Sequence, residues 1–340
     1  MVGRPLWERK VPSSSLGAPI LIMITQTKLP YLTYFHRPSR GYTFSADGEN
    51  HTILSPVLEP VVPFSSFVMS VNYNPRPNSW LLTEVQVRQG ETWSPFFKLA
   101  FYSEKLNHSF ELQTCAAGEV HVDVLHLFAA ANAYRFLLTV HGDADVPAVS
   151  VCLTDPEAEL PDCADMLPAG KRHIQVEPIS QMELPIEPLE RERVCSPTSL
   201  CMAMRALGVQ ADPLETAHAV YDDRARIYGN WTLNTAYACR CGLDSCVTRF
   251  HRLAQLEDFI SKDSLVLASI AYKGGELTNA AVHKTQGHLV LICGWEKGQI
   301  YVADPAAAQQ ADVLRAYDAQ EFARAWLQNK RGIAYLVRKR

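Results

Sequence analysis

A chain of 340 residues suggests two domains, on the usual scale of roughly 100–200 residues each. A formal net charge of -4, with no long basic run, argues against nucleic acid as a partner. With 47% hydrophobic and 20% charged residues the composition is that of a soluble globular protein, and no stretch approaches the roughly 20 apolar residues of a membrane-spanning helix.

The N-terminal residues carry Arg4, Glu8, Arg9 and Lys10 ahead of a short, proline-interrupted apolar run, Gly17 to Thr25. The run lacks a clear small-residue cleavage site, so no secretory signal is read. The expectation is a cytoplasmic protein with an N-terminal extension over residues 1–41. Met23 is an alternative start, and export is the alternative if the N-terminus is misassigned. Nine cysteines, several in apolar stretches, suit reduced thiols in a reducing compartment. Cys239-Arg240-Cys241 with Cys246 does not have the spacing of a structural zinc pair. Neither a metal nor an organic cofactor is expected.

Residues 42–155 read as an antiparallel β-sandwich. Strand patterns run over Ser66–Tyr73, Trp80–Arg88, Trp93–Tyr102, His121–Phe128, Tyr134–Val140 and Ala148–Leu153, with turn signals between them. The aromatic residues Trp80, Trp93, Phe96, Phe97, Tyr102 and Tyr134 either fill the sandwich core or form a face for a glycan; a glycan or protein partner for this region is therefore considered. Residues 156–166 are acidic and proline-bearing and read as a linker crossed by few contacts. Residues 167–340 form the second domain, of α+β class, with helices early and an antiparallel sheet late.

In that domain, Cys195-Ser196-Pro197-Thr198-Ser199-Leu200 reads as a cysteine at a helix start. Ser196 is the expected N-cap and Pro197 the first helical residue, with Gly208 as the stop. The positive end of a helix dipole favours a thiolate. A buried structural cysteine is the alternative. Asp212-Pro213 opens a second helix, and Asp318 with Glu321 carries a capping-box signature. Leu265–Tyr272 and Ile333–Val337 read as strands, and Gln255–Ser261 as a short helix.

His288 leads the apolar strand Leu289–Cys293, and Gln299–Ala303 reads as the returning strand, closed by Asp304-Pro305. A three-residue loop, Glu296-Lys297-Gly298, with glycine in its positive-φ position, pairs Trp295 with Gln299 and, counting outward, Val290 with Asp304. His288 and Asp304 then become diagonal neighbours on one face. A two-residue turn would put them on opposite faces. A carboxylate in that position orients an imidazole, leaving the second ring nitrogen to take a proton from a thiol.

These pieces, with Ile179-Ser180-Gln181-Met182, Gly229-Asn230-Trp231-Thr232-Leu233-Asn234 and Phe322-Ala323-Arg324-Ala325-Trp326, resemble a papain-like cysteine peptidase over about the last half of the chain. More narrowly, the chain is similar to the family typified by bacteriocin leader (double-glycine) peptidases, in a stand-alone bacterial branch that carries an N-terminal β-domain. The resemblance implies Cys195 as nucleophile, His288 as general base and acid, Asp304 as the orienting residue and Gln181 as an oxyanion-hole donor. It also puts Asn230, Trp231 and Asn234 along the substrate cleft; the alternative is that Trp231 packs the core and Asn230 caps a helix. The function implied is hydrolysis of a peptide or amide bond through a thioester. Acyl transfer by the same residues, or a binding or scaffold protein with a relic site, are the alternatives.

Overall fold

The computed structural model describes residues 31–38, 41–110, 112–142, 147–155 and 167–340. The expected linker over 156–166 lies outside the described residues. The first part holds strands β1 (Tyr31–His36), β2 (Thr43–Asp47), β3 (Asn50–Leu54), β4 (Phe64–Asn72), β5 (Trp80–Gln89), β6 (Thr92–Trp93), β7 (Phe97–Ser103), β8 (His108–Ser109), β9 (Gln113–Cys115), β10 (Gly118–His121), β11 (Val124–Ala131), β12 (Ala133–His141) and β13 (Ala148–Thr154). They form two antiparallel sheets, β1-β13-β4-β11-β10-β9 and β2-β3-β12-β5-β7-β8, with β6 beside β5. Period-two alternation builds the core between them. Leu81, Val85 and Val87 of β5 and Phe136, Leu138 and Val140 of β12 face Phe67, Met69, Val71 and Val151 of the other sheet.

Three expectations change here. Strand β1 lies ahead of the expected domain start at residue 42, and all six of its residues pair with β13. The expected strand Trp93–Tyr102 is two pieces, because Pro95 cannot donate to a ladder. Of the six aromatics weighed as a glycan face, Phe97, Tyr102 and Tyr134 are buried in the sandwich core. Only Trp80, Trp93 and Phe96 remain partly exposed. Trp80 stacks on His141 at 5.1 Å between ring centroids, and Arg135 covers Trp93 at 5.1 Å.

The second part holds β14 (Arg172–His173), α1 (Pro188–Arg191), α2 (Cys195–Ala206), α3 (Pro213–Val220), α4 (Trp231–Arg240), β15 (Leu243–Arg249), α5 (Leu256–Phe259), β16 (Ser264–Tyr272), β17 (Thr285–Glu296), β18 (Gln299–Ala303), β19 (Leu314–Asp318), α6 (Ala319–Ala323) and β20 (Ile333–Lys339). The sheet order is β15-β20-β16-β17-β18-β19, with β14 on β17. Strand β16 is covered on both faces, which explains its unbroken run Leu265 to Tyr272 of buried residues. Asp212 caps α3 through the Leu214 and Glu215 amides, as its Asp-Pro start predicts. Asp318 caps α6, but the Glu321 carboxylate bonds Thr278 instead of closing a capping box.

The two parts are packed together more closely than a simple linker predicts. Val68, Val124 and Cys152 from the sandwich belong to the second core, and Leu233 and Ala236 of α4 belong to the first. Polar bonds cross the same seam: Ser70 Oγ accepts from the Val247 amide at 2.9 Å and Asn72 Oδ1 from the Ser245 amide at 3.1 Å. Among the described residues no helix is long and apolar enough to cross a membrane.

Candidate active site

Cys195 is the first residue of α2, not the residue before it. The helix starts earlier than expected because Ser196 does not act as its cap. The Ser196 hydroxyl donates to Asn234 Oδ1 at 2.9 Å and shares a 2.9 Å hydrogen bond with the Tyr335 hydroxyl. Thr198 ties the first turn down through its hydroxyl to the Val194 carbonyl at 2.7 Å. At the other end Gly208 adopts φ +88°, the left-handed stop expected of it. Cys195 therefore stays at the positive end of the helix, half-buried.

The β17–β18 hairpin reaches the expected site by a different route. Glu296 pairs with Gln299, so the turn has two residues, Lys297 and Gly298, both with positive φ (48° and 75°). That is the pattern of a type I′ turn, and alone it would place His288 and Asp304 on opposite faces. One extra residue enters β17 between Ile292 and Gly294, and beyond it Leu291 pairs with Ala303. This bulge restores the register lost at the turn. Gly294 is essential to it: at φ +155° an added Cβ would lie 1.9 Å from the Arg172 carbonyl oxygen of β14.

His288 Nε2 consequently meets Asp304 Oδ1 at 2.7 Å, with both side chains buried. Asp304 Oδ1 also accepts from the Ala306 amide at 2.9 Å, and its Oδ2 accepts from the Tyr317 hydroxyl at 2.6 Å. The imidazole and the Cys195 sulfur are close enough to shift each other's affinity for a proton. Strand β18 ends at Ala303, leaving the backbone of Leu289 without a strand partner on that side. Helix α2 takes its place: the Leu289 carbonyl accepts from Ser199 Oγ at 2.9 Å.

Burial pushes the Cys195 thiol up, but hydrogen bonding and charge from His288, helped by Leu289, outweigh it and the net shift is downward. Burial disfavours the imidazolium of His288. The Asp304 carboxylate and the bond to Cys195 reverse that and raise it to about 10. Asp304 is held below the usual carboxylate range: burial raises it, while the charge and bond of His288, the Tyr317 hydroxyl and the Ala306 amide lower it further. All three directions favour a thiolate–imidazolium pair steadied by a carboxylate. By contrast, burial pushes Cys201 and Cys239 up to about 11 and Cys246 and Cys293 to about 12.

Gln181 opens a short 3₁₀ helix, Gln181–Glu183. Its amide N–H donates to the Pro305 carbonyl at 2.8 Å and its Nε2 to the Arg191 carbonyl at 2.7 Å. It is thus held between the residue after Asp304 and the segment that leads into Cys195. Its Oε1 is buried with no hydrogen-bond partner among the described residues.

The three residues expected along the cleft have a different setting. Asn230 is fully buried and caps α4, accepting from the Thr232 and Leu233 amides at 3.1 Å each while its Nδ2 donates to Asp222 at 2.8 Å. Asn234 is also fully buried, with Nδ2 on the Tyr228 and Asn230 carbonyls. Every polar atom of the two side chains is in use, so they support α2 and α4 rather than face a substrate. Trp231 is half-buried and packs against the second core. Tyr317 touches Asp304 directly, and no sequence motif marks it. Its approach depends on the β18–β19 pairing, which no local pattern announces. Among the described residues no cluster of three or more His, Cys, Asp or Glu side chains is arranged to hold a metal.

Residues 173–333 match the Peptidase C39 like family, and residues 34–152 match the Peptidase C39 N-terminal domain. Among solved structures, a double glycine motif protease from an AMS/PCAT transporter, in complex with the leader peptide, is similar over 52% of this chain and 100% of its own, at 17% identity and a TM-score of 0.36. The peptidase domain of Streptococcus ComA, a bifunctional ABC transporter involved in quorum sensing, is similar over 49% and 100%, at 13% identity and a TM-score of 0.34. A C39-like peptidase from Bacillus anthracis is similar over 50% and 98%, at 16% identity and a TM-score of 0.37. No curated protein matches the chain.

Proposed function

The chain belongs to the Peptidase C39-like family, and on that premise we propose that it is a cysteine peptidase or amidase working through Cys195, His288 and Asp304. The observation that carries the proposal is the buried His288–Asp304 contact at 2.7 Å, with Cys195 at the start of α2 near enough to act on the imidazole's proton affinity.

The proposed steps use those residues as follows. The Cys195 thiolate attacks the carbonyl carbon of the scissile amide, and the carbonyl π electrons move to oxygen. The backbone N–H of Cys195 stands in the first helical turn, where amides lack an intrahelical acceptor, and is one donor to that oxyanion. Gln181 Nε2 keeps one hydrogen on Arg191 and has a second to donate. Each such donor is worth roughly 3–4 kcal/mol in other acyl-transfer enzymes. Collapse of the intermediate breaks the C–N bond, and the His288 imidazolium gives its proton to the leaving amine. The neutral imidazole then takes a proton from water, whose oxygen attacks the thioester carbon and releases the acid and the thiolate. Asp304 holds the ring in one tautomer with Nε2 protonated.

The test is incubation of the full chain with a proteome-derived peptide library, followed by mass-spectrometric capture of new N-termini. New termini that vanish with Cys195→Ala and with His288→Ala are expected. Termini unchanged by Cys195→Ala, or none from the unaltered chain, would overturn the proposal. The same library distinguishes acyl transfer: peptides joined through a new amide bond in place of free carboxylic acids as the main product would favour the transferase.

A further inference from the structure

The N-terminal β-region reaches toward the nucleophile through buried hydrogen bonds. Asp123 lies between β10 and β11 and is 6% exposed. Its Oδ2 accepts from the backbone amides of Trp231 at 2.6 Å and Thr232 at 3.3 Å, the first two residues of α4. Helix α4 already has a local cap in Asn230, so helix formation does not by itself require a second one. The second cap is costly: burial pushes the Asp123 carboxyl up to about 7. One turn along α4, Asn234 Oδ1 accepts from Ser196 Oγ at 2.9 Å. Ser196 is bonded directly to Cys195 in the chain, and its hydroxyl is fixed a second time by Tyr335 at 2.9 Å. Tyr335 is itself buried in the second core. A parallel bond supports this path: the Ser109 amide of the β-region donates to Asp222 Oδ2 at 3.1 Å, and the same oxygen accepts from Asn230 Nδ2.

We infer that Asp123, in the N-terminal β-region, is a positioning residue for Cys195, acting through the N-terminus of α4 and the Asn234–Ser196 hydrogen bond. The β-region is then part of the catalytic unit, not an appended module. The inference rests on Cys195 being the nucleophile.

The experiment measures iodoacetamide alkylation of Cys195 against pH in full-length Asp123→Ala, Asp123→Asn, Asn234→Ala and the double variant Asp123→Ala/Asn234→Ala, each checked for its fold by circular dichroism. Ser70→Ala, which cuts a different bond across the same seam, is the control. Asp123→Ala is expected to slow Cys195 by roughly three- to tenfold at neutral pH, with its rate pKa moved toward that of a free thiol. Asp123→Asn, which keeps an acceptor oxygen, should recover part of the rate. The double variant should fall no further than the worse single, because both act on one path. Ser70→Ala should leave the profile in place. An unchanged profile in Asp123→Ala would overturn the inference, as would equal slowing by Ser70→Ala, which would mean general loosening of the seam. If Asp123→Ala does not fold, Asp123→Asn and Asn234→Ala decide: profiles identical to the unaltered chain in both overturn it. If Cys195 of the unaltered chain already reacts like a free thiol, the assignment of the nucleophile has failed instead.

Discussion

His288 and Asp304 face one another at 2.7 Å because a two-residue turn and a one-residue bulge cancel. The turn at Lys297-Gly298 shifts the register by one residue, and the bulge ending at Gly294 shifts it back.

The bulge makes Gly294 a sensitive position far from the chemistry. A methyl group there collides with the backbone of Arg172, which cannot yield as a flexible side-chain tip does. Gly294→Ala should lower the melting temperature and reduce activity together, while Gly298→Ala, with open space around its Cβ, should strain only the turn. Thermal unfolding of both variants beside the unaltered chain checks this; equal melting temperatures for all three would contradict it.

Tyr317→Phe removes one donor from a buried carboxylate while preserving shape. The loss of a bond to a buried charged group should cost about 1–3 kcal/mol of stability. The direction with pH follows from the depressed Asp304. Its contribution is present above about pH 3.9, the unfolded value, and is lost as pH falls through the lower folded value. Without the tyrosine hydroxyl the folded value rises, so acid unfolding should begin at higher pH. Denaturant melts from pH 3 to 7 test the shift; parallel curves at every pH would exclude a bond to the ionised carboxylate.

Much of the site was legible because local chemistry marks it. Pro197 and Gly208 bracket a helix, Asp212-Pro213 opens another, and the apolar run after His288 announces a buried strand. What escaped was non-local. Ser196 looks like a cap, yet its hydroxyl is claimed by Asn234 and Tyr335, distant in sequence. Lys297 takes a positive φ that sequence rules reserve for glycine or asparagine, so the turn reads one residue too long. The bulge at Gly294 offsets that misreading, and the His288–Asp304 pairing came out as expected for a reason the residues do not display. Strand β15 has no clear sequence signature because its buried residues do not alternate cleanly. Asn230 and Asn234 resemble cleft residues in sequence; their burial under hydrogen bonds emerges only from the packing of α4.

Removal of each proposed catalytic group should have unequal effects. Cys195→Ala and His288→Ala should nearly abolish turnover. Asp304→Ala should cost less, since it orients the base without bond making. Gln181→Ala should lower turnover by roughly 10²–10³ with little change in substrate binding, because its bond strengthens as charge develops. Steady-state kinetics on a peptide from the library screen supply the comparison. A Gln181→Ala effect confined to KM would contradict the oxyanion role.

The shared cores predict that the two parts do not separate cleanly. A fragment of residues 167–340 alone would expose the α4 surface that carries Leu233 and Ala236. It should melt at lower temperature than the full chain and self-associate on size exclusion. A monomeric fragment with the melting temperature of the full chain would show the seam to be dispensable.

In the proposed mechanism His288 holds Cys195 as a thiolate, and the pH dependence of Cys195 alkylation reads this out. Limited iodoacetamide treatment of the full chain, with peptide mapping across pH 5 to 10, follows each cysteine separately. Cys195 should be modified first, with an apparent pKa below the roughly 8.5 of a free thiol, and His288→Ala should return it toward that value. Preferential labelling of another partly exposed cysteine, Cys115 or Cys241, or a Cys195 profile at or above the free-thiol value that His288→Ala leaves in place, would contradict it.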